Sequence, residues 1–193
     1  MGYVVAAVLG YLLGSIPVAL IVARRHGVDL RRTSDGNPGA WNALEQLGPR
    51  RALPAFLGDG AKGLVAGLLG LALAGWWGGF AGVAGAMVGH AFPLFAGLRG
   101  GKSVMTFVGG AFALAPLAAL ACLALCGAVT LAASFKWGAR AGVAAFPLVQ
   151  LATGPTERVA ATGILMTLIG ALFVVRRDTS GRATSAPDAA PRA

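Results

Sequence analysis

Long apolar runs separated by short basic clusters are the feature that most limits how this chain can fold. The chain has 193 residues, of which 56% are hydrophobic and only 12% are charged. Soluble domains carry about 25% charged residues. A membrane helix needs about 20 consecutive apolar residues, and the clear candidates are residues 3–23, 61–77, 78–98 and 158–175. The pattern therefore predicts an all-α polytopic membrane protein.

The net charge of +9 does not indicate a nucleic-acid partner. The basic residues stand in short clusters between the apolar runs, which is typical of membrane loops. The first apolar run also differs from a signal peptide, because no Lys or Arg precedes it and the pair Arg24–Arg25 follows it. We therefore interpret this run as a first membrane span with its N-terminus outside.

The number of spans depends on the run from 103 to 135, which is long for one helix and contains Pro116. Division at Pro116 gives seven spans, and an undivided run gives six. With seven spans and an outside N-terminus, Arg158 is the one basic residue of the 16 that lies outside. The positive-inside bias therefore predicts a seven-span helical bundle with a cytoplasmic C-terminus. The segments 103–115 and 141–154 would be short for spans.

The predicted membrane domain covers residues 1–177. The segment 178–193 is rich in Ser, Ala, Pro and Arg, which predicts a disordered cytoplasmic tail. No His and Cys cluster has the spacing of a metal site, so no metal and no cofactor are expected. The sequence makes no prediction about the oligomeric state.

Glycines recur every three or four residues along the second and third predicted spans. In lipid, small residues at this spacing let helix backbones approach closely. A nucleotide-binding glycine loop would need a strand before it and a helix after it, and the apolar context provides neither. We therefore expect a glycine-packed bundle, with contacts at Gly75, Gly79, Gly82, Gly85 and Gly89.

The scarce polar residues gather on the predicted cytoplasmic side. Asp59 and Lys62 stand three residues apart at the mouth of the second span, where they can form an ion pair. Ionisable groups at membrane depth are usually functional, although such a pair could also serve as an interfacial anchor. His90 is either a structural hydrogen-bonding residue or part of a site. Lys102 follows Gly100–Gly101, a combination that favours binding of an anion such as phosphate.

Four ordered motifs resemble a known family. The first is Gly14-Ser-Ile-Pro17, and the second is Asp29-x-Arg31 followed by the loop "SDGNPGAWN". The third is Asp59-x-x-Lys62-Gly63, and the fourth is "GHAFPLF" with "GGKSVMT" after it. In these motifs the chain resembles the bacterial acyl-phosphate:glycerol-3-phosphate acyltransferases, the integral-membrane PlsY enzymes.

The resemblance implies a seven-span enzyme of the bacterial plasma membrane whose active site faces the cytoplasm. The implied reaction moves an acyl group from acyl phosphate to the 1-hydroxyl of glycerol 3-phosphate and gives lysophosphatidic acid, the first step of phospholipid synthesis. The implied partners are these two substrates and membrane lipid. The predicted catalytic residues are His90 and Lys102. The predicted substrate-binding residues are Arg31, Gly36, Asn37, Gly39, Asn42, Asp59, Lys62, Gly100, Gly101 and Thr106.

Several motif positions differ from the family pattern. Acidic or bulky residues replace small or basic ones in the first loop, and two other positions change size. The replaced positions are Asp35, Trp41, Glu45, Ser103 and Ala139. Negative charge disfavours a neighbouring anion, which motivates a second hypothesis of a non-catalytic or acceptor-altered paralogue. A third hypothesis, a small transporter, is weaker because the sequence shows no inverted repeat.

Overall fold

The structure is a computed structural model that describes residues 1–175, and this part of the chain is helical without β-strands. The helices are α1 (Gly2–Gly14), α2 (Val18–Arg25), α3 (Ala40–Ala91), α4 (Val104–Leu114), α5 (Pro116–Ala132), α6 (Phe135–Thr153) and α7 (Thr156–Val175). Two short 3-10 turns cover Leu30–Arg32 and Leu94–Ala96. The all-α prediction is confirmed. The predicted disordered tail, residues 178–193, lies outside the described residues.

Three helical stretches of the described chain are long and apolar enough to cross a membrane. They are Gly2–Arg25, Ala40–Ala96 and Thr156–Val175. The helices α4 and α5 are apolar but shorter. Many large apolar side chains on the outer surface of these helices are exposed, as expected for residues that face lipid.

Helix α3 is interrupted twice. Gly48 has a φ of 75°, and Ala74 and Gly75 leave the helical region, with a φ of 64° at Gly75. Beyond Gly75 the chain folds back on itself, and Gly70 then packs directly against Gly78. The approach is so close that a Cβ atom at Gly70 would strike the carbonyl of Gly78. The segments 49–73 and 76–91 thus form a tight helical hairpin. The sequence placed this turn at 77–78, but the left-handed conformation at Gly75 puts it three residues earlier.

Glycines let α1 pack directly against the second arm of this hairpin. A Cβ atom at Gly10 would strike the carbonyl of Gly82, and one at Gly89 would strike the carbonyl of Tyr11. The predicted close packing is therefore confirmed at Gly79, Gly82, Gly85 and Gly89. At Gly75 the prediction was wrong, because this glycine lies in the turn and a Cβ atom there would have no neighbour within 4 Å.

The second half of the described chain packs in the same way. A Cβ atom at Gly63 would strike the carbonyl of Thr106, so α4 lies directly against segment 49–73. Helices α5 and α6 meet where Gly138 faces Cys126. The predicted break at Pro116 is confirmed, since α4 ends at Leu114 and α5 begins at Pro116.

Contacts between distant residues define two ends of the bundle. At one end, here called the far end, Gly2 packs on the turn at Ala74, the indole of Trp76 donates to the Leu114 carbonyl (3.0 Å), and Arg158 lies over the Trp76 ring. At the other, here called the loop end, the loops 26–39 and 92–103 meet the α5–α6 turn and the end of α7. The contacts there join Trp41 to Phe135 and Lys102 to Phe173.

Several predicted boundaries were wrong. The first span is interrupted at Ser15–Pro17, and the third predicted span ends at Ala91 rather than at 98. The second extends back to residue 49, and α6 begins at Phe135 rather than at 141. The prolines and charged residues near 49–54 interrupt the apolar pattern, so the start of this helix could not be recognised from hydropathy. Pro49 directly follows the break at Gly48, which is a position where the start of a helix tolerates proline.

Candidate functional site

A cavity of about 710 Å³ opens at the loop end of the bundle. One part of its wall is polar, and the other part is apolar. The polar wall includes Asp35, Asn37, His90, Lys102, Lys136 and Arg140. The apolar wall includes Phe56, Val104, Met105, Val143, Ile169 and Phe173. The cavity can therefore hold a molecule with a charged group and a hydrocarbon chain.

Asn42, in the first turn of α3, organises the loop that forms one side of the cavity. Its side chain is buried, and its Nδ2 atom donates to the carbonyls of Leu30 (2.9 Å), Thr33 (3.2 Å) and Asn37 (3.0 Å). Its Oδ1 atom accepts from the hydroxyl of Thr33 at 3.2 Å. Since the helix begins at Ala40, Asn42 ties the loop to a helix end.

The predicted loop residues Gly36, Asn37 and Gly39 lie together beneath this amide. Gly36 has a φ of 68°, a conformation that favours glycine. The Asn37 backbone N–H donates to Asp35 Oδ1 at 3.1 Å, which closes a short turn. A Cβ atom at Gly39 would approach Asn37 Nδ2 to 3.2 Å. These residues therefore shape the backbone at the cavity wall.

Arg31 connects the two loops at this end of the bundle. Its Nη2 atom donates to the carbonyl of Ala96 and, at 3.0 Å, to the carbonyl of Arg99. The sequence predicted that Arg31 adds positive charge to a substrate site. The structure instead directs its guanidinium at backbone oxygens and does not place it on the cavity wall.

Asp59, Lys62 and His90 form a buried polar cluster inside the hairpin of α3. Lys62 Nζ lies 2.9 Å from Asp59 Oδ1, and His90 Nδ1 lies 3.6 Å from the same oxygen. Lys62 also donates to the Ile16 carbonyl at 3.2 Å. The predicted ion pair is confirmed, but it lies within the segment 49–73 and not at the mouth of a span. Asp59 and His90 reach the cavity wall.

Gly100 and Gly101 hold His90 in place. The N–H of Gly100 donates to the Ala91 carbonyl and that of Gly101 to the His90 carbonyl, both at 3.1 Å. A Cβ atom at Gly101 would strike the imidazole of His90, and one at Gly100 would strike the His90 carbonyl. The N–H groups of this predicted phosphate-binding pair are thus both bonded to carbonyls at the end of α3.

Lys102 projects into the cavity and contacts an acidic residue of the first loop. Its Nζ atom lies 2.7 Å from Asp35 Oδ2 and 4.5 Å from the centre of the Phe173 ring. Partial burial raises the pKa of Asp35, but the hydrogen bond and charge of Lys102 and the N–H of Asn37 outweigh it. The net result is a pKa below the ordinary value of 3.8. The carboxylate is therefore ionised at neutral pH.

The predicted site residues thus divide into three groups. Those on the wall of the large cavity are Asn37, Gly39, Asn42, Asp59, His90 and Lys102. Lys62, Gly100 and Gly101 line a much smaller neighbouring pocket that shares Asp59 and His90 with the cavity. Arg31, Gly36 and Thr106 line neither. Thr106 is fully buried, and its carbonyl packs against Gly63.

The sequence did not predict that two further cationic residues line this cavity, nor that two aromatic rings stack at its edge. Lys136 and Arg140, from the first turns of α6, line the same cavity as Lys102. Trp41 stacks on Phe135 with ring centres 5.7 Å apart. The position of Lys136 and Arg140 in a predicted cytoplasmic loop was the available signal, but only the α5–α6 packing brings them to the site.

Glu45 contributes to the same wall. Its carboxylate accepts from the Trp41 indole at 2.8 Å and from the Ser34 hydroxyl at 3.1 Å. Within residues 1–175, no group of three or more His, Cys, Asp or Glu side chains is arranged to hold a metal ion.

The family model for glycerol-3-phosphate acyltransferase matches residues 4–183 of the chain. The chain belongs to the glycerol-3-phosphate acyltransferase family. It is 38% identical over 170 residues to the glycerol-3-phosphate acyltransferase of Geobacter sulfurreducens, covering 86% of this chain and 85% of that protein. It is also 47% identical over 114 residues to the glycerol-3-phosphate acyltransferase of Symbiobacterium thermophilum, a match that covers 59% of this chain and 57% of that protein.

A solved structure has the same fold. The crystal structure of PlsY, an integral membrane glycerol 3-phosphate acyltransferase in its glycerol 3-phosphate form, superposes with a TM-score of 0.77 at 28% identity. The match covers 95% of this chain and 92% of PlsY. This member of the family is therefore an integral membrane acyltransferase. The hypotheses of a non-catalytic paralogue and of a small transporter are not favoured.

Proposed function

We propose that the chain transfers an acyl group from acyl phosphate to the 1-hydroxyl of glycerol 3-phosphate and releases lysophosphatidic acid. The substrates of its relatives motivate this proposal, since PlsY has been solved in both a glycerol 3-phosphate form and a lysophosphatidic acid form. The transfer takes place in the cavity beside Lys102 and is the first acylation of phospholipid synthesis.

The observation that carries the proposal is the mixed character of the cavity wall. Lys102, Lys136 and Arg140 offer positive charge for phosphate groups, and His90 lines the same cavity. The apolar side chains of α4, α6 and α7 offer a surface for an acyl chain. A cavity of about 710 Å³ is within the range of about 300–1,000 Å³ that is usual for ligand pockets.

In this reaction the acceptor hydroxyl oxygen forms a bond to the acyl carbonyl carbon. The bond between that carbon and the bridging phosphate oxygen breaks, and inorganic phosphate leaves. The hydroxyl proton passes to a phosphate oxygen of the leaving group, so the step needs no protein base. Lys102 binds a phosphate group and stabilises the charge that develops on it.

The remaining predicted residues support this geometry. His90 orders the site through Asp59, while Gly100 and Gly101 fix the position of its ring. Asn37 and Asn42 hold the loop that carries the substrate-facing wall. These residues therefore act either on the cavity surface or directly behind it, whereas Arg31, Gly36 and Thr106 line neither the cavity nor the neighbouring pocket.

We further propose that residues 1–177 form one seven-span membrane domain in the bacterial plasma membrane, with the loop end in the cytoplasm. The chain runs from the far end to the loop end through α1 and α2, goes to the far end and back through the hairpin of α3, and then alternates between the two ends from α4 to α7. Arg24, Arg25 and Arg50 belong to the loop end, whereas Arg158 lies beside Trp76 at the far end. Such an asymmetry of basic residues sets the orientation of membrane proteins, and it lets the cavity meet a soluble anionic acceptor.

The direct test uses purified full-length chain in detergent micelles with acyl phosphate and glycerol 3-phosphate. Formation of lysophosphatidic acid and inorganic phosphate in equal amounts is the expected result. Replacement of Lys102 by Met should reduce kcat/KM on the order of a hundredfold, because it removes a charged contact and leaves Asp35 unpaired in the cavity.

Arg50 provides a matched control, since it is exposed and lies outside the cavity wall. Arg50→Met removes the same charge from the same end of the bundle and should keep the activity of the unaltered chain. Absence of product from a well-folded wild-type protein would refute the proposed reaction. Equal losses in the two variants would refute the role of Lys102.

A further inference from the structure

The cation predicted to receive substrate phosphate is already bonded to a carboxylate of the chain itself. Lys102 and Asp35 are separated by 67 residues, yet Nζ lies 2.7 Å from Oδ2. Both side chains line the cavity. The contact therefore stands inside the proposed active site and not on the outer surface of the protein.

The geometry of Asp35 favours a fixed carboxylate over a mobile one. Its Oδ2 atom accepts from Lys102, and its Oδ1 atom accepts from the Asn37 N–H at 3.1 Å. Lys102 Nζ also lies 4.5 Å from the centre of the Phe173 ring, and only 11% of the lysine side chain is exposed. The ammonium group thus contacts both an anion and an aromatic face.

We propose that Asp35 is an affinity-determining residue: its carboxylate occupies the place of a substrate phosphate on Lys102 and must give way when that phosphate binds. This inference rests on the proposed function for the identity of the anion. It differs from a role as proton acceptor, since both carboxylate oxygens are already engaged by donors.

The proposal has a direct consequence for substrate binding. Each phosphate that reaches Lys102 must separate an existing ion pair, and a partly exposed pair of this kind contributes modestly to the free energy. Removal of the Asp35 charge should therefore tighten phosphate binding by about three- to tenfold. The rate of the chemical step should change little, because the carboxylate has left Lys102 before the acyl group moves.

The first experiment measures binding of inorganic phosphate to the full-length chain in detergent micelles by titration calorimetry. Asp35→Asn keeps the size of the side chain and removes its charge, and Asp35→Ser provides a second replacement. Both should lower the Kd for phosphate by about three- to tenfold. Glu157→Gln removes the same charge at the far end and should leave the Kd unchanged.

The second experiment compares the effect of Asp35→Asn in wild type and in Lys102→Met. The gain in phosphate affinity should fall below about twofold when Lys102 is absent, because the carboxylate then has no ammonium to occupy. A gain of equal size in both backgrounds would mean that Asp35 acts through the general charge of the cavity, and the proposal would be wrong.

Steady-state kinetics provide a third readout. Asp35→Asn should lower KM for the phosphate-bearing substrate while kcat stays within about twofold of wild type. An unchanged or weaker phosphate affinity in both Asp35 variants would overturn the inference, and a lower unfolding temperature with unchanged Kd would assign Asp35 a purely structural role. Tighter phosphate binding in a chain that makes no lysophosphatidic acid would uphold the inference and refute the proposed reaction instead.

Discussion

Lys62 and Asp59 form an ion pair inside the bundle, one helical turn apart, with Nζ 2.9 Å from Oδ1 and both side chains almost fully buried. The ammonium also donates to the Ile16 carbonyl, at the break between α1 and α2. The pair therefore joins the first hairpin arm of α3 to the interrupted first span. Burial of two charges is costly unless they remain together.

We expect single replacements of this pair to destabilise the protein strongly. Asp59→Asn leaves the Lys62 charge buried without its counter-ion, which should cost about 3 kcal/mol and lower Tm by roughly 5–10 °C. The double variant Asp59→Leu with Lys62→Met removes both charges and should be more stable than either single variant. Thermal unfolding in detergent measures the order, and a double variant less stable than both singles would contradict the prediction.

Gly100 and Gly101 should differ in what their replacement by alanine disturbs. At Gly100 the new Cβ atom would strike the backbone carbonyl of His90, whereas at Gly101 it would strike the movable imidazole ring. Gly100→Ala should therefore cost about 1–3 kcal/mol of stability. Gly101→Ala should keep most of the stability and reduce kcat on the order of tenfold by displacing His90.

The comparison needs both measurements on both variants. Tm identifies the stability effect, and acyl transfer at saturating substrate identifies the effect on kcat. If Gly101→Ala lowers Tm as much as Gly100→Ala and leaves kcat unchanged, the assignment of Gly101 to the position of His90 is incorrect.

The Asp35–Lys102 pair predicts a pH dependence of stability. Since the pKa of the Asp35 carboxyl in the folded chain lies below 3.8, the pair stabilises the fold above that pH, and this stabilisation is lost as the pH falls through the folded pKa. At pH 7 Asp35→Asn should unfold at a slightly lower temperature than wild type, because the carboxylate is 42% exposed. The difference should shrink as the pH falls below 3.8 and through the lower folded pKa. A difference of constant size from pH 7 down through this range would argue against the pair as its source.

The proposed orientation predicts opposite accessibility at the two ends of the bundle. In a chain whose Cys122 and Cys126 are replaced by Ala, Arg50→Cys places a thiol at the loop end and Glu157→Cys places one at the far end. A membrane-impermeant thiol reagent added to intact cells should label Glu157→Cys at once and Arg50→Cys only after permeabilisation. The reverse pattern would place the cavity outside the cell.

Much of the architecture was accessible from the sequence because hydropathy and charge act locally along the chain. The helical class, the break at Pro116 and the glycine-packed contacts at Gly82 and Gly89 follow from composition and spacing. The boundaries were less accessible, since proline and arginine near residue 49 concealed the start of a helix. The turn at Gly75 depends on a backbone conformation that no pattern specifies.

The residues of the candidate site also divide into those that the sequence indicated and those that only the structure brought together. The motifs identified His90, Lys102 and Asn42, and the spacing of Asp59 and Lys62 predicted their ion pair. The pattern could not show that Arg31 bonds to carbonyls of another loop, nor that Lys136 and Arg140 line one cavity with Lys102.

The sequence by itself therefore determined a glycine-rich helical membrane protein and predicted anion binding at its basic end, because each of these properties depends on residues close together in the chain. Only the tertiary structure decided which polar groups meet. Asp35 reaches Lys102 across 67 residues, and the N–H groups of Gly100 and Gly101 bond to carbonyls at the end of α3. Such contacts depend on how the helices and loops pack, and that packing is a property of the whole chain.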